Sequence, residues 1–145
     1  MKTKVLLMNS PHTNFEKFDR AFNKKKGNVL FPPLSLTTLS GSLLKNVNDV
    51  SIEILDNEFE VMKYFSENMN SPLKELDYLK QNIINKIKSF KPKVVGLSLL
   101  FSQAHPMSLI IADLIKKHSP ETIVVCGGNH ATFAYKRMLE MCKSI

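Results

Sequence analysis

The chain is predicted to be an α/β domain, a parallel sheet with helices on both faces and strand order 2-1-3-4. Three observations predict it. Val94-Val95-Gly96-Leu97-Ser98 and, one helix length later, Ile123-Val124-Val125-Cys126-Gly127-Gly128 each open as a β-branched run. Such runs mark strands buried on both faces of a parallel sheet. The stretch between them carries apolar residues at helical spacing, giving a strand–helix–strand unit. The same alternation recurs from the start of the chain, and right-handed crossovers then favour this order over its alternatives.

Each element has its own signal. Val5-Leu6-Leu7-Met8, closed by Asn9-Ser10-Pro11, is the first strand, expected near residues 4–9. A polar, basic loop follows to about Asn28, long enough to suggest a function or mobility. Leu36, Leu39, Leu43, Leu44 and Val47 then recur at helical spacing, with Pro33 near the first turn. Val50, Ile52 and Ile54 alternate with polar partners, which suits a strand near the sheet edge at about 50–55. The segment Asn57 to Ser71 is too apolar for a free linker and reads as a short helix or a lid. Leu76, Leu79, Ile83, Ile87 and Phe90 form a clear helical stripe stopped by Lys91-Pro92. The third strand, near 93–99, leads to a helix through Met107, Ile110, Ile111, Leu114 and Ile115 that ends at Ser119-Pro120. The fourth strand, near 122–126, and its Gly-Gly turn open a last helix including Met138, Leu139 and Met141.

The 145 residues suit one domain, and 43% hydrophobic content is ordinary for a globular chain. Lys and Arg number 20 against 13 Asp and Glu, a formal net charge of +7. That balance permits an anionic partner, but no nucleic-acid module is recognisable, and nucleic-acid binding is not expected. Lys24-Lys25-Lys26 fit a solvated loop, while Lys116-Lys117 and His118 fit a helix C-terminus, where the dipole favours cations. Cys126 and Cys142 make no metal-binding spacing, and Cys126 reads as a small hydrophobe closing a strand. With no apolar run near the roughly 20 residues that cross a bilayer and no secretory signal at the N-terminus, a cytoplasmic protein is expected.

The chemistry-bearing positions gather where the strands end. In open parallel sheets ligands bind at the carboxyl edge, in the crevice where the strand order reverses. Order 2-1-3-4 puts Asn9-Ser10 and Ser98-Leu99 on either side of that crevice. Gly96 admits either a close ligand or a tightly packed helix. Ser98 offers a ligand-facing hydroxyl where its strand emerges. Gly127-Gly128 would expose backbone N–H groups to a ligand, or simply make the strand-to-helix turn. His130 would contact ligand or bond the local backbone, and Asp56 would cap the next helix or bind ligand. His12, His105 and His118 have no acidic or cysteine partner at metal spacing, so no metal site is expected. No nucleophile or acid–base pair stands out, and the chain by itself is not expected to catalyse. A phosphoacceptor receiver would need acids where Asn9-Ser10 and Ser98-Leu99 stand.

At these residues the chain resembles the N-terminal cobalamin-binding domain of B12-dependent radical SAM enzymes, of the methyltransferase and anaerobic magnesium-protoporphyrin IX monomethyl ester oxidative cyclase type. Val94–Ser98 is similar to that family's Val-Val-Gly-Ile-Ser strand, and Val125–Thr132 to its Val-Gly-Gly-x-His-Ala-Thr turn. Phe31-Pro32-Pro33-Leu34-Ser35-Leu36 resembles its Pro-Pro-Leu-Gly-Leu helix opening, with Ser35 in place of Gly. Ile54-Leu55-Asp56 resembles its second strand, and Tyr135-Lys136-Arg137 departs from the usual Pro and acidic residues. The resemblance implies a flavodoxin-like, Rossmann-like three-layer domain over residues 1–145, with a fifth strand expected beyond it. It implies a corrin held at the carboxyl edge by Asn9, Ser10, Ser98, Leu99, Gly127, Gly128 and His130, for methyl transfer or radical chemistry. The 4Fe-4S cluster and S-adenosylmethionine would belong to a following radical SAM barrel, whose CxxxCxxC is not in this sequence. The Asp-x-His-x-x-Gly of other cobalamin carriers is also missing, which puts a lower axial protein ligand in doubt and leaves His12 as the candidate in that loop. The expected partners are therefore cobalamin, the barrel and, through an open fourth-strand edge, a second copy. The rival reading is a structural or interaction domain of the same fold that binds no corrin and packs on the radical SAM barrel.

Overall fold

A computed structural model describes residues 2–13, 15 and 32–145. The basic tract Lys24-Lys25-Lys26, most of the loop after the first strand, and Phe31 of the Pro-Pro segment lie outside the described residues. The elements run β1 (Thr3–Asn9), α1 (Leu34–Asn46), β2 (Val50–Leu55), α2 (Asn57–Glu67), α3 (Glu75–Phe90), β3 (Val94–Ser98), a 3-10 turn (Ser102–Ala104), α4 (His105–His118), β4 (Ile123–Gly127) and α5 (Asn129–Met141). All strand pairings are parallel and the order is β2-β1-β3-β4, as the crossover argument predicts. The register sets Asn9 beside Ser98 and Ser98 beside Gly127, so the chemistry-bearing strand ends line one edge.

The two faces of the sheet are covered unequally. Leu6, Met8, Val95, Leu97 and Val124 point into the main core, where α2, α3, α4 and α5 supply Val61, Phe65, Leu79, Ile83, Ile111, Ile115 and Met138. On the other face, among the described residues, Val5, Leu7 and Val50 pack with Leu36 and Leu43 of α1 and with Ile52 and Val94 of the sheet. Two expectations shift as a result. Leu39, Leu44 and Val47 share the apolar stripe of α1 but stay exposed, because among the described residues no further element packs beside α1. β4, read from its β-branched run as buried on both faces, buries Val124 but leaves Ile123 and Val125 each 52% exposed.

The segment after β2 is a helix rather than a lid. Asp56 accepts a hydrogen bond from the Phe59 N–H and caps α2, whose Val61, Met62 and Phe65 lock into the core. An N-cap of this kind contributes about 1 kcal/mol. α3 ends at Lys91, which takes the left-handed conformation (φ 53°) and lets the chain turn into Pro92.

Candidate functional site

β1 and β3 stay paired to their last residues, Asn9 and Ser98, and beyond them the two chain segments part, β1 leading to α1 on one face and β3 to α4 on the other. A cleft of about 380 Å³ opens there, lined by Asn9, Ser10, His12, Pro32–Leu34, Ser35, Asp56, Glu58, Ser98, Leu100 and Phe101. It is the crevice that strand order 2-1-3-4 requires.

Hydrogen bonds brace its floor. The Asn9 amide donates to Asp56 (2.8 Å), its carbonyl oxygen accepts from the Asn57 N–H (2.7 Å), and the Asn57 amide donates to the Asn9 backbone carbonyl (2.7 Å). Asn9 therefore stitches the end of β1 to the start of α2, and Asp56 both caps that helix and faces the cleft. The Ser10 hydroxyl donates to the Ala104 carbonyl (3.0 Å), tying the loop after β1 to the turn before α4. Across the mouth, the Ser98 and Ser35 hydroxyls lie 3.4 Å apart, bridging β3 and α1.

Sequence reasoning missed Glu58. Its buried carboxylate accepts the His12 N–H (3.1 Å) and the Thr13 hydroxyl, and lies 2.7 Å from His12 Nδ1. The His12 ring meets Phe101 edge-on at 5.3 Å. An acid in the first turn of a helix has an ordinary explanation in the dipole. Only the fold shows that it grips a loop 46 residues earlier in the chain.

The remaining expected residues lie beside the cleft rather than in its lining. Leu99 is buried, its N–H donates to the Gly127 carbonyl (2.8 Å), and its carbonyl accepts from the His130 N–H (3.2 Å). Gly128 has φ +99°, and a Cβ there would stand 2.5 Å from the Leu99 carbonyl oxygen. The close approach that this glycine serves is thus a neighbouring backbone. Gly127 differs, since a Cβ there would meet nothing within 4 Å, on the same sheet face as Ser98. Gly96 packs under Leu7, whose Cδ2 would lie 2.8 Å from an added Cβ. The His130 ring bonds His105 and Ser102. Among the described residues no group of three metal-ligating side chains forms.

The cleft walls suit a large, partly flat ligand. Pro32, Pro33, Leu34, Leu100 and Phe101 are apolar, while Asn9, Ser35, Ser98, Asp56 and Glu58 offer oxygen acceptors. Among the described residues no lysine or arginine is in the lining.

A doubly wound α/β domain with a mainly apolar crevice at its switch point, edged by a few polar groups, belongs to the class that binds a cofactor at the sheet's carboxyl edge. The model of the B12 binding domain matches residues 29–143, and the chain belongs to that family. No curated protein and no solved structure matches it. Family membership supports cobalamin as the cofactor. The crevice fits such a group: a corrin is a macrocycle fringed with carboxamide donors around a cationic metal, and the acceptors and apolar walls present here complement both features.

Proposed function

We propose that the crevice between β1 and β3 holds the edge of a cobalamin corrin for a radical SAM barrel elsewhere in the same cytoplasmic polypeptide. The carrying observation is a mainly apolar cleft, with the Ser35 and Ser98 hydroxyls at its mouth, at the switch point of a B12-binding domain. The barrel, its 4Fe-4S cluster and S-adenosylmethionine rest on the sequence resemblance alone. A bound corrin would supply methyl-group transfer or radical chemistry.

The chain's own residues bind and orient. Ser98 and Ser35 present hydroxyls at the mouth, and Asn9 with Ser10 forms a rigid floor. Leu100 and Phe101 shield one wall from water. Gly127 leaves open space beside Ser98 for the ligand to pass over the sheet edge. Leu99, Gly128 and His130 hold that edge through their backbone contacts. The cleft volume accommodates only part of a corrin, so affinity for the separate domain is expected to be modest.

Titration with hydroxocobalamin tests this, read from the visible spectrum of the corrin. Ser98→Leu and Gly127→Leu should weaken binding about tenfold or more, since a lost close contact of about 1.4 kcal/mol has that effect. The open space at Gly127 means that its variant should keep the stability of the parent. Binding unaltered in both variants would move the corrin away from this crevice. No binding at all would favour a structural or interaction domain.

The bare face and edge of β4 lend that second reading its support. No strand pairs with the outer edge of β4 among the described residues, and Ile123 and Val125 flank it without a charged residue between them. Unpaired, uncharged strand edges are templates for pairing with another chain. The partner we infer is a second copy, joined edge to edge through β4.

A further inference from the structure

Beside the cleft, three side chains form a continuous hydrogen-bonded chain that the cobalamin reading does not use. The Ser102 hydroxyl lies 3.0 Å from His130 Nδ1, and His130 Nε2 lies 2.7 Å from His105 Nδ1. His105 Nε2, at the far end, is shielded from solvent and has no hydrogen-bond partner among the described residues. The chain crosses from the 3-10 turn after β3 to the first turn of α5 and back to the first residue of α4. We propose that it is a proton-sensitive latch that holds the Leu99–Ala104 segment, and with it the cleft wall Leu100–Phe101, against α5.

The argument is one of proton counting. A nitrogen–nitrogen contact of 2.7 Å needs one proton between the two rings. With both rings neutral, His105 Nδ1–H donates to His130 Nε2, and His130 Nδ1–H donates to the Ser102 oxygen. The lone pair left over is His105 Nε2. In the other neutral arrangement the Ser102 hydroxyl and His130 Nε2–H donate, and an N–H is stranded at His105 Nε2. A lone pair without a partner costs less than a stranded donor, and the first arrangement prevails. An added proton finds only that buried nitrogen, where a cation would sit unpaired.

The surroundings oppose the charge as well. His105 opens α4, and helix N-termini disfavour cations. Burial lowers its pKa from the ordinary 6.5, and His130 and Arg137 of α5 lower it further. The first turn of α4 contains no acid. From the neighbouring elements, His12, paired with Glu58, meets the Phe101 ring of the same segment, and Glu75 is the buried acid in the first turn of α3. A base whose pKa is lowered in the closed form stabilises that form above its free value. The stabilisation declines as pH falls below 6.5. His105 then takes its proton by leaving the chain. The two backbone bonds at Leu99 and the Ser10 bond to the Ala104 carbonyl remain, so the segment loosens between them while the domain stays folded.

Long-range proton–nitrogen correlation spectra and amide exchange of the 145-residue chain test the latch. We expect His105 to carry its proton on Nδ1 at neutral pH and to titrate below the free imidazole value. Exchange at Ser102–Ala104, corrected for its intrinsic rate, should quicken toward tenfold per pH unit below that value, as opening linked to one proton requires. The β1 amides should stay protected throughout and report that the fold is intact. His105→Gln keeps a donor and acceptor without titrating, and should hold the segment while flattening the pH response. His105→Ala should loosen it at every pH. A His105 that titrates at or above the free value would overturn the latch, as would an acid response unchanged in His105→Gln.

Discussion

β3 and β4 run side by side, each five residues long and each rich in valine, yet their surroundings differ. β3 lies between two strands, with Val95 and Leu97 in the main core and Gly96 closed over by Leu7. β4 has a partner on one side among the described residues, and its alternate residues Ile123 and Val125 stay about half exposed on the face that α1 covers only in part. The same contrast divides their ends. Ser98 of β3 borders the cleft, whereas Gly127 of β4 opens onto free space. Burial here follows place in the sheet more than residue type, and the ligand crevice forms on the side where the order reverses.

Core truncation breaks the comparison most severely. Leu97 is 1% exposed, and Leu97→Ala should cost about 2–5 kcal/mol. Val125→Ala, on the bare face of the next strand, should stay within about 0.5 kcal/mol. Urea unfolding followed by circular dichroism measures both, and equal losses would mean that the β4 face is covered in solution.

The paired glycines give the next largest effect. Gly128→Ala forces a side chain into φ +99° and against the Leu99 carbonyl, and should cost about 1–3 kcal/mol. Gly127→Ala should be nearly neutral in the same unfolding measurement, because nothing stands near its Cβ.

Association comes third. If copies join through β4, Val125→Lys should shift sedimentation toward the monomer and leave unfolding almost unchanged. The net charge of +7 opposes association, so the parent chain should associate more as salt screens that charge. A monomer at all salt concentrations would remove the edge as an interface.

The smallest effect concerns the two faces of β4 themselves. Burial pushes the Cys126 thiol up to about 11, with nearby Cys142 adding to the rise. A raised thiol pKa keeps the unreactive protonated form through neutral pH. Labelling with a thiol reagent should be slow at neutral pH and accelerate toward that value. A Val125→Cys substitution one residue away, on the bare face, should label at the rate of an ordinary exposed thiol.

Much of this was legible beforehand because it depends on local pattern. Each strand and each helix stripe falls where its periodicity put it, with Pro33 opening α1 and Lys91-Pro92 and Ser119-Pro120 closing α3 and α4 as expected. The alternation of Val50, Ile52 and Ile54 marked β2 as an edge strand, and β2 is one. Asn9, Ser10 and Ser98 were anticipated at the crevice, and they line it. Glu58 and the His105–His130 pair were not, since each contact joins residues far apart in the chain.

The sequence by itself determined the elements, their parallel arrangement and the edge at which small polar residues collect. Hydrophobic period and turn chemistry act over a few residues, and crossover handedness leaves few ways to join the pieces. Only the tertiary structure decided which apolar residues found cover, which glycine serves a neighbouring backbone and which opens to solvent, and which side chains grip the cleft. Those outcomes depend on what an element meets across space, and a strand's residues are the same whether or not something packs against them.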